Sequence, residues 1–248
     1  MKKIKHPYNR LIKISDDHQQ ITLCDSRYFK RNGKYYPSIT YVLKYYPKGQ
    51  HFEDWLKKVG YSSEHIMKKA GEEGTMVHDL IEMYLNGEEI KLLNNNGVPL
   101  YNLDVWRMFI NFVEFWETYK PKLIETEIFL FSDELEVAGT CDLICEIDGK
   151  LWLIDFKTSN HIQPTYEIQT AVYSKCYKEG FNINIDYCGI LWLKSSKRKL
   201  NKEKMQGKGW EMITSTRTQE KNMDIFKGIK SLFDLDNPDP LPTFTQMR

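Results

Sequence analysis

Leu135 to Ser159 reads LEVAGTCDLICEIDGKLWLIDFKTS, and the pattern is that of a β-hairpin. Asp148-Gly149 is the turn, since both positions accept the positive φ of a type I′ connection. The flanks alternate, so each strand has two faces. Cys141, Leu143, Cys145 and Ile147 point one way on the first strand, and Trp152, Ile154 and Phe156 point one way on the second. The other face carries Thr140, Asp142, Ile144, Leu153, Asp155 and Lys157. Folding about that turn sets Asp142 opposite Asp155, with Cβ atoms about 4.5–5.5 Å apart, and Lys157 two residues on. Directly opposed carboxylates weaken a sheet. A divalent cation between them reverses the sign, and carboxylate oxygens are the ligands Mg²⁺ prefers. A neighbouring lysine can hold a water or steady charge on a phosphate. A solvated polar face is the alternative; the register match and the apolar opposite face bring the site reading level with it, with the register set by the two-residue turn.

The 248 residues, 41% of them hydrophobic, fit one large domain or a core with a helical lobe. No apolar run approaches the ~18 residues of a membrane span. The N-terminus, MKKIKHPYNR, is basic but has neither the apolar segment nor the cleavage site of a secretory signal. Five cysteines stand at positions 24, 141, 145, 176 and 188 with no C-x-x-C pair. That pattern predicts reduced thiols in a cytosolic compartment, without a structural zinc or iron–sulfur site. A net charge of +1 is not the footprint of a whole-surface nucleic-acid binder. The run Lys194 to Lys208, with seven basic residues and one acid, reads either as a solvated loop or as a phosphate-backbone contact.

In chain order, residues 1–36 read as β-rich, with short strands at Asn9–Ile14 and Gln20–Leu23 and a hairpin turn at Asn32-Gly33. The tyrosines there are packing residues or base-stacking ones. Ser38 caps a short helix, Ile39 to Tyr45. Residues 51–70 are helical with a break near Gly60. Val77, Leu80, Ile81, Tyr84 and Leu85 form a helical stripe closed by Asn86-Gly87. His78 sits on its edge, as a structural residue or a ligand. Tyr101 to Tyr119 is an amphipathic helix with Val105, Met108, Phe109, Phe112, Val113, Phe115 and Trp116 inward. Glu125 to Phe131 is a strand whose Glu127 faces either the site or solvent. Tyr166 to Lys178 is a helix on which Gln169 and Tyr173 share a face. Ile183 to Leu193 and Trp210 to Thr214 are strands, Thr218 to Phe233 a helix, and Asp236 to Arg248 an irregular tail.

Four short motifs in this order carry a resemblance. Gly74-Thr75-Met76-Val77-His78 is similar to a G-x-x-x-H helix motif. Gly139-Thr140-Cys141-Asp142 is similar to G-x-x-D, Asp155-Phe156-Lys157 to D-x-K, and Gln169-Thr170-Ala171-Val172-Tyr173 to Q-x-x-x-Y. Together they resemble the PD-(D/E)XK nuclease superfamily in its RecB-type exonuclease branch, which includes phage exonucleases and the mitochondrial genome maintenance exonuclease. The resemblance spans about His51 to Leu193, and Ser38 to Leu43 resembles a segment that precedes the first motif in some members. It implies an α/β fold with a restriction-endonuclease-like core, a central mixed β-sheet flanked by helices and an N-terminal mainly helical portion walling the site. The expected organisation is one nuclease domain over 1–248. Residues 1–50 form an N-terminal extension, 51–195 the nuclease core, and 196–248 the basic loop and C-terminal helix.

The resemblance also implies roles. His78, Asp142, Asp155 and the carbonyl of Phe156 would ligate Mg²⁺ or Mn²⁺. Lys157 would position the attacking water, and Gln169 and Tyr173 would orient Lys157 or touch the DNA backbone. The implied activity is metal-dependent hydrolysis of DNA from single- or double-stranded ends in replication, recombination or repair. The implied setting is the cytoplasm of a bacterial or phage-infected cell, with a helicase, recombinase or single-strand-binding protein as partner. The cysteines that hold an iron–sulfur cluster in several relatives have no counterpart. An endonuclease of the same superfamily, a non-catalytic DNA-binding module and a scaffold with a solvated D-x-K face are the competing readings.

Overall fold

A computed structural model describes residues 2–5, 9–13, 18–23, 26–195 and 205–242. The chain starts with five strands, β1 (Lys2–Lys5), β2 (Asn9–Lys13), β3 (His18–Leu23), β4 (Ser26–Arg31) and β5 (Lys34–Pro37). They pair in sequence as an antiparallel meander. Asn32 and Gly33 both take positive φ (50° and 79°) to close the β4–β5 hairpin. The N-terminal portion is therefore the β-rich segment expected over residues 1–36, followed by the helices that make up most of it. Helix begins only at Ser38, whose hydroxyl accepts from Tyr41 N at 3.0 Å.

From there run α1 (Ile39–Val42), a 3₁₀ turn (Leu43–Tyr45), α2 (Gln50–Val59), α3 (Ser62–Leu85) and α4 (Leu103–Tyr119). Gly60, at φ +60°, ends α2. Asn102 caps α4, its side chain accepting from Val105 N. The core follows as β6 (Lys122–Ser132), β7 (Val137–Ile147), β8 (Lys150–Lys157), α5 (Pro164–Phe181), β9 (Tyr187–Trp192), β10 (Glu211–Thr214) and α6 (Gln219–Asp236). Residues 183–186, expected in a strand, instead follow the left-handed Asn182 that ends α5.

Among the described residues, a second five-stranded sheet has the order β10-β9-β8-β7-β6. Its β8–β9 pair is parallel and the rest antiparallel, with α5 as the crossover a parallel pair requires. Asp148 and Gly149 turn with φ 52° and 73°, and the β7–β8 register is the expected one, Leu143 facing Ile154 and Ile147 facing Lys150. Both sheet faces are covered. One packs Ile144 and Leu153 against α1, α5 and α6, through Ile39, Ile168, Val172, Phe226 and Phe233. The other packs Leu143, Cys145, Ile154 and Phe156 against α3 and α4, through Leu80, Phe109 and Phe112.

One facing assignment is corrected. Cys141 packs with Ile144 and Leu153, not with Leu143 and Cys145. The alternation of β7 breaks at Asp142: the β6–β7 register passes from Thr126↔Leu143 to Ile128↔Cys141 without a Glu127–Asp142 pair. Cys141, Cys145, Cys176 and Cys188 are free thiols, while Cys24 lies outside the described residues. No helix of the described residues is long and apolar enough to cross a membrane.

The N-terminal sheet is fastened to the core by Phe29 and Tyr36 against Phe131 and Ala138. Arg31 and the Tyr36 hydroxyl both donate to Asp133, at 2.7 and 2.6 Å. Of the basic run, residues 196–204 lie outside the described residues; its base is held by Asn111 Nδ2, which donates to Leu193 O and Gly209 O.

Phe112 joins the two layers. It is fully buried and its ring lies 5.3 Å from that of Phe156, beneath the acidic end of β8. Phe112→Ala is expected to cost about 3–5 kcal/mol, read from urea denaturation; a loss under about 1 kcal/mol would show that the layer repacks without it.

Candidate active site

The expected residues meet in one cavity of about 470 Å³, lined by His78, Asp142, Asp155, Phe156, Lys157, Gln169 and Tyr173. Each arrives for a local reason. The β7–β8 ladder ends at Leu143↔Ile154, and beyond it the Asp142 side chain replaces a backbone acceptor: Phe156 N donates to Asp142 Oδ2 at 2.6 Å. Thr126 Oγ1 donates to the Asp142 carbonyl at 2.9 Å. The carboxylate's other oxygen lies 3.3 Å from His78 Nδ1. The Phe156 ring packs on the far side of the sheet, edge-on to His78.

Helix α3 brings His78 in, and the glycine one turn before it has a steric reason. A Cβ on Gly74 would stand 3.0 Å from Thr158 Oγ1, a tight contact that Gly avoids where the helix lies close to the end of β8. Gly139 is explained similarly: its Cβ would come within 2.5 Å of Tyr173 Cε1.

Glu127, which the sequence left undecided, points to the site. Ligand atoms of His78, Glu127 and Asp142 lie within 4.8 Å of one another. Glu127 takes φ +53° inside strand β6, a left-handed conformation that costs about 1–3 kcal/mol for a non-glycine residue. Asp155 is directed differently. Its Oδ2 lies 2.6 Å from Lys157 Nζ in a charge contact without hydrogen-bond alignment, and that buried oxygen has no other donor. Lys157 Nζ donates to Gln169 Oε1 at 3.2 Å, and Gln169 Nε2 donates to the Tyr173 hydroxyl at 2.8 Å.

A convergent His–Glu–Asp donor set beside a buried carboxylate oxygen lacking a hydrogen-bond donor fits a hard divalent cation. The convergent donors are not the set the sequence suggested. Glu127 joins His78 and Asp142, while Asp155 stands with Lys157.

Sequence reading overlooked two features. Tyr166 borders the cavity with its ring against Lys157; its spacing of three from Gln169 places it on the Gln169–Tyr173 face, a signal that was present. Gln20 and Arg27, from strands of the N-terminal segment, join Thr40 in a wall of the cavity; the resemblance implied a wall from this portion, but no local pattern announces those two residues.

Charge is tightly coupled here. Burial would lower the His78 imidazole, but Asp142, with Glu127 and Asp155 behind it, raises it to about 9. Burial would raise Asp142, yet His78 holds it below the ordinary carboxylate value. Burial dominates at Asp155 and lifts it to about 6, with Lys157 opposing and Asp142 adding to the rise. Burial would lower Lys157, and Asp155 and Asp142 instead keep its ammonium above the usual range.

A scan against models of known protein families matches none, and no curated protein matches the sequence. Among solved structures the chain is similar to a candidate exonuclease from Eubacterium rectale, with a TM-score of 0.43 and 11% identity, covering 71% of this chain and 72% of that one. A likeness at this level assigns neither family nor activity.

The His78 shift gives a pH dependence. Its folded value, about 9, lies above the ordinary 6.5. Its contribution to stability is therefore complete below pH 6.5 and lost as pH rises through 9. In EDTA, the Tm of the protein is expected to fall between pH 6.5 and 9.5, and His78→Gln to flatten that fall. An equal slope in the variant would count against the His78–Asp142 pairing.

Proposed function

We propose that this protein is a divalent-metal-dependent DNA nuclease of the PD-(D/E)XK type, acting as an exonuclease on DNA ends. The observation that carries the reading is the meeting, in one cavity, of the His78–Glu127–Asp142 donor set with the Asp155–Lys157 pair. The four ordered motifs support it. His78, Glu127 and Asp142 would hold Mg²⁺ or Mn²⁺, with Asp155 and the Phe156 carbonyl completing the site. When bound, the cation supplies Lewis-acid charge to the phosphodiester and makes water easier to deprotonate.

The chain's own groups do the rest. Lys157 donates to the attacking water or to a phosphate oxygen as negative charge develops there. Gln169, steadied by Tyr173, keeps the ammonium aimed. His78 and the Phe156 amide hold Asp142 ionised and oriented. Water attacks phosphorus in line with the departing sugar oxygen, with no covalent enzyme intermediate. Ala70, Gly71 and Gly74 present little side chain to the cavity, so a polynucleotide backbone can approach the helix closely. On this reading residues 1–248 are one nuclease domain, and a helicase, recombinase or single-strand-binding protein delivers the ends.

The test uses linear and circular DNA, each single- and double-stranded, with Mg²⁺ or Mn²⁺. Linear DNA alone is expected to be degraded, with Asp142→Asn and Lys157→Ala each slowing hydrolysis about a hundredfold or more. Cutting of circles would make it an endonuclease. DNA binding without cutting would make it a binding module, and neither binding nor cutting would leave the scaffold reading. Full activity in Asp142→Asn would refute the site.

A further inference from the structure

The reaction depends on where the Lys157 ammonium stands, and a lysine stem is flexible. Two oxygens constrain it, Asp155 Oδ2 at 2.6 Å and Gln169 Oε1 at 3.2 Å. A third neighbour belongs to none of the four motifs. The ring of Tyr166 lies under the ammonium, its centroid 4.6 Å from Nζ.

That ring is itself tied down. Tyr166 stands in the first turn of α5, its N–H donating to Gln163 O at 3.1 Å. Its hydroxyl donates to Ser159 Oγ at 3.1 Å. Ser159 Oγ in turn donates to His161 O at 2.8 Å, and Ser159 O accepts from Trp192 Nε1 at 2.8 Å. The loop between β8 and α5 thus fixes the ring from its hydroxyl end and anchors it to β9.

The chemistry suits the position. A ring face attracts a cation through its quadrupole but takes up N–H donors less fully than a carboxylate does. An ammonium has three donors and no acceptor. Held by a ring, it keeps donor capacity for an oxygen in the cavity. An aliphatic side chain of similar size would fill the space without that attraction.

We propose that Tyr166 is a positioning residue for Lys157, its ring holding the ammonium toward the scissile phosphate and its hydroxyl, through Ser159, holding the ring. This rests on the nuclease reading, as the role assigned to Lys157 does. The role is separate from that of Gln169 and Tyr173, which reach the same ammonium by a hydrogen-bonded relay.

Single-turnover hydrolysis of linear DNA in Mg²⁺ by the full chain tests it, for Tyr166→Leu, Tyr166→Phe and Lys157→Ala beside the wild type. DNA affinity is measured in EDTA, and the Lys157 Cε protons are followed by NMR in lysine-labelled protein, with Lys157→Ala identifying the signal. Tyr166→Leu is expected to lose about ten- to hundredfold in rate, with affinity within about threefold. The upfield ring-current shift of the Lys157 protons should vanish in the same variant. Tyr166→Phe, which keeps the ring, is expected to recover most of the rate and the shift. Tyr166→Leu at wild-type rate, while Lys157→Ala is inactive, would overturn the proposal and leave the nuclease reading standing. Loss of DNA affinity equal to the loss of rate would overturn it too, making Tyr166 a substrate contact. A wild type indistinguishable from Lys157→Ala would remove the nuclease reading and this proposal with it.

Discussion

The hydrogen bond from Phe156 N to Asp142 Oδ2, at 2.6 Å, ties the fold to the site. It forms where the β7–β8 ladder stops. An extended strand end whose N–H lost its partner inside the protein would carry an uncompensated polar group. The carboxylate takes the place of the missing backbone acceptor, so the strands separate without leaving that N–H unpaired. Two features of the site lie at this separation. It leaves the other Asp142 oxygen facing His78, and it leaves Asp155 and Lys157, which the pleat puts on the Leu153 face toward α5, open to the cavity. The charges of the site are therefore part of how the two central strands end.

That arrangement makes each charged group depend on the others. Asp142, Asp155, Lys157 and His78 all feel burial as an opposing influence on their charged forms. The His78–Asp142 contact keeps Asp142 ionised in surroundings that would otherwise protonate it. Asp155 takes the opposite course, because burial, with Asp142 beside it, outweighs the opposing charge of Lys157. The two acids are chemically alike and are pushed apart by environment, as happens where two carboxyl groups serve different ends.

The hairpin was legible in detail because its information is local. A two-residue turn fixes a register, and alternating residues fix two faces. The α4 helix was legible for the same reason, its apolar stripe being continuous, although it starts after the capping Asn102 and not at Tyr101. What escaped was nonlocal. The direction of Glu127 goes with its left-handed backbone within β6, where no propensity places a glutamate, and the facing of Cys141 goes with a break in the alternation of β7. The strand contribution to the N-terminal wall escaped because Gln20 and Arg27 share no pattern with the motifs and reach the cavity only once the meander docks through Phe29 and Tyr36. Tyr166 escaped although its spacing was visible, since an aromatic in a first helical turn reads as packing.

Several features around the cavity work against stability in the same small volume. Among the described non-glycine residues with positive φ, Asn32, Lys120, Glu136, Asp148 and Asn182 sit at turns or helix ends, and Glu127 alone lies inside a strand. Gly71 and Gly74 lie within helix α3 and border the cavity, each about 1 kcal/mol worse than alanine in an ordinary helix interior. Thr140 Oγ1 and Asp155 Oδ2 are buried without hydrogen-bond partners, and both residues line the cavity. Trp210 Nε1 and Asn222 Oδ1 share that condition elsewhere, so one unpaired atom alone would mean little. A left-handed glutamate, helix-interior glycines, and a buried hydroxyl and carboxylate oxygen without aligned hydrogen bonds around one donor cluster are different violations with different physical causes. A sequence shaped only for folding would have removed them independently. Their meeting at one place is what a chain shows where another demand, such as ligand binding or chemistry, competes with stability.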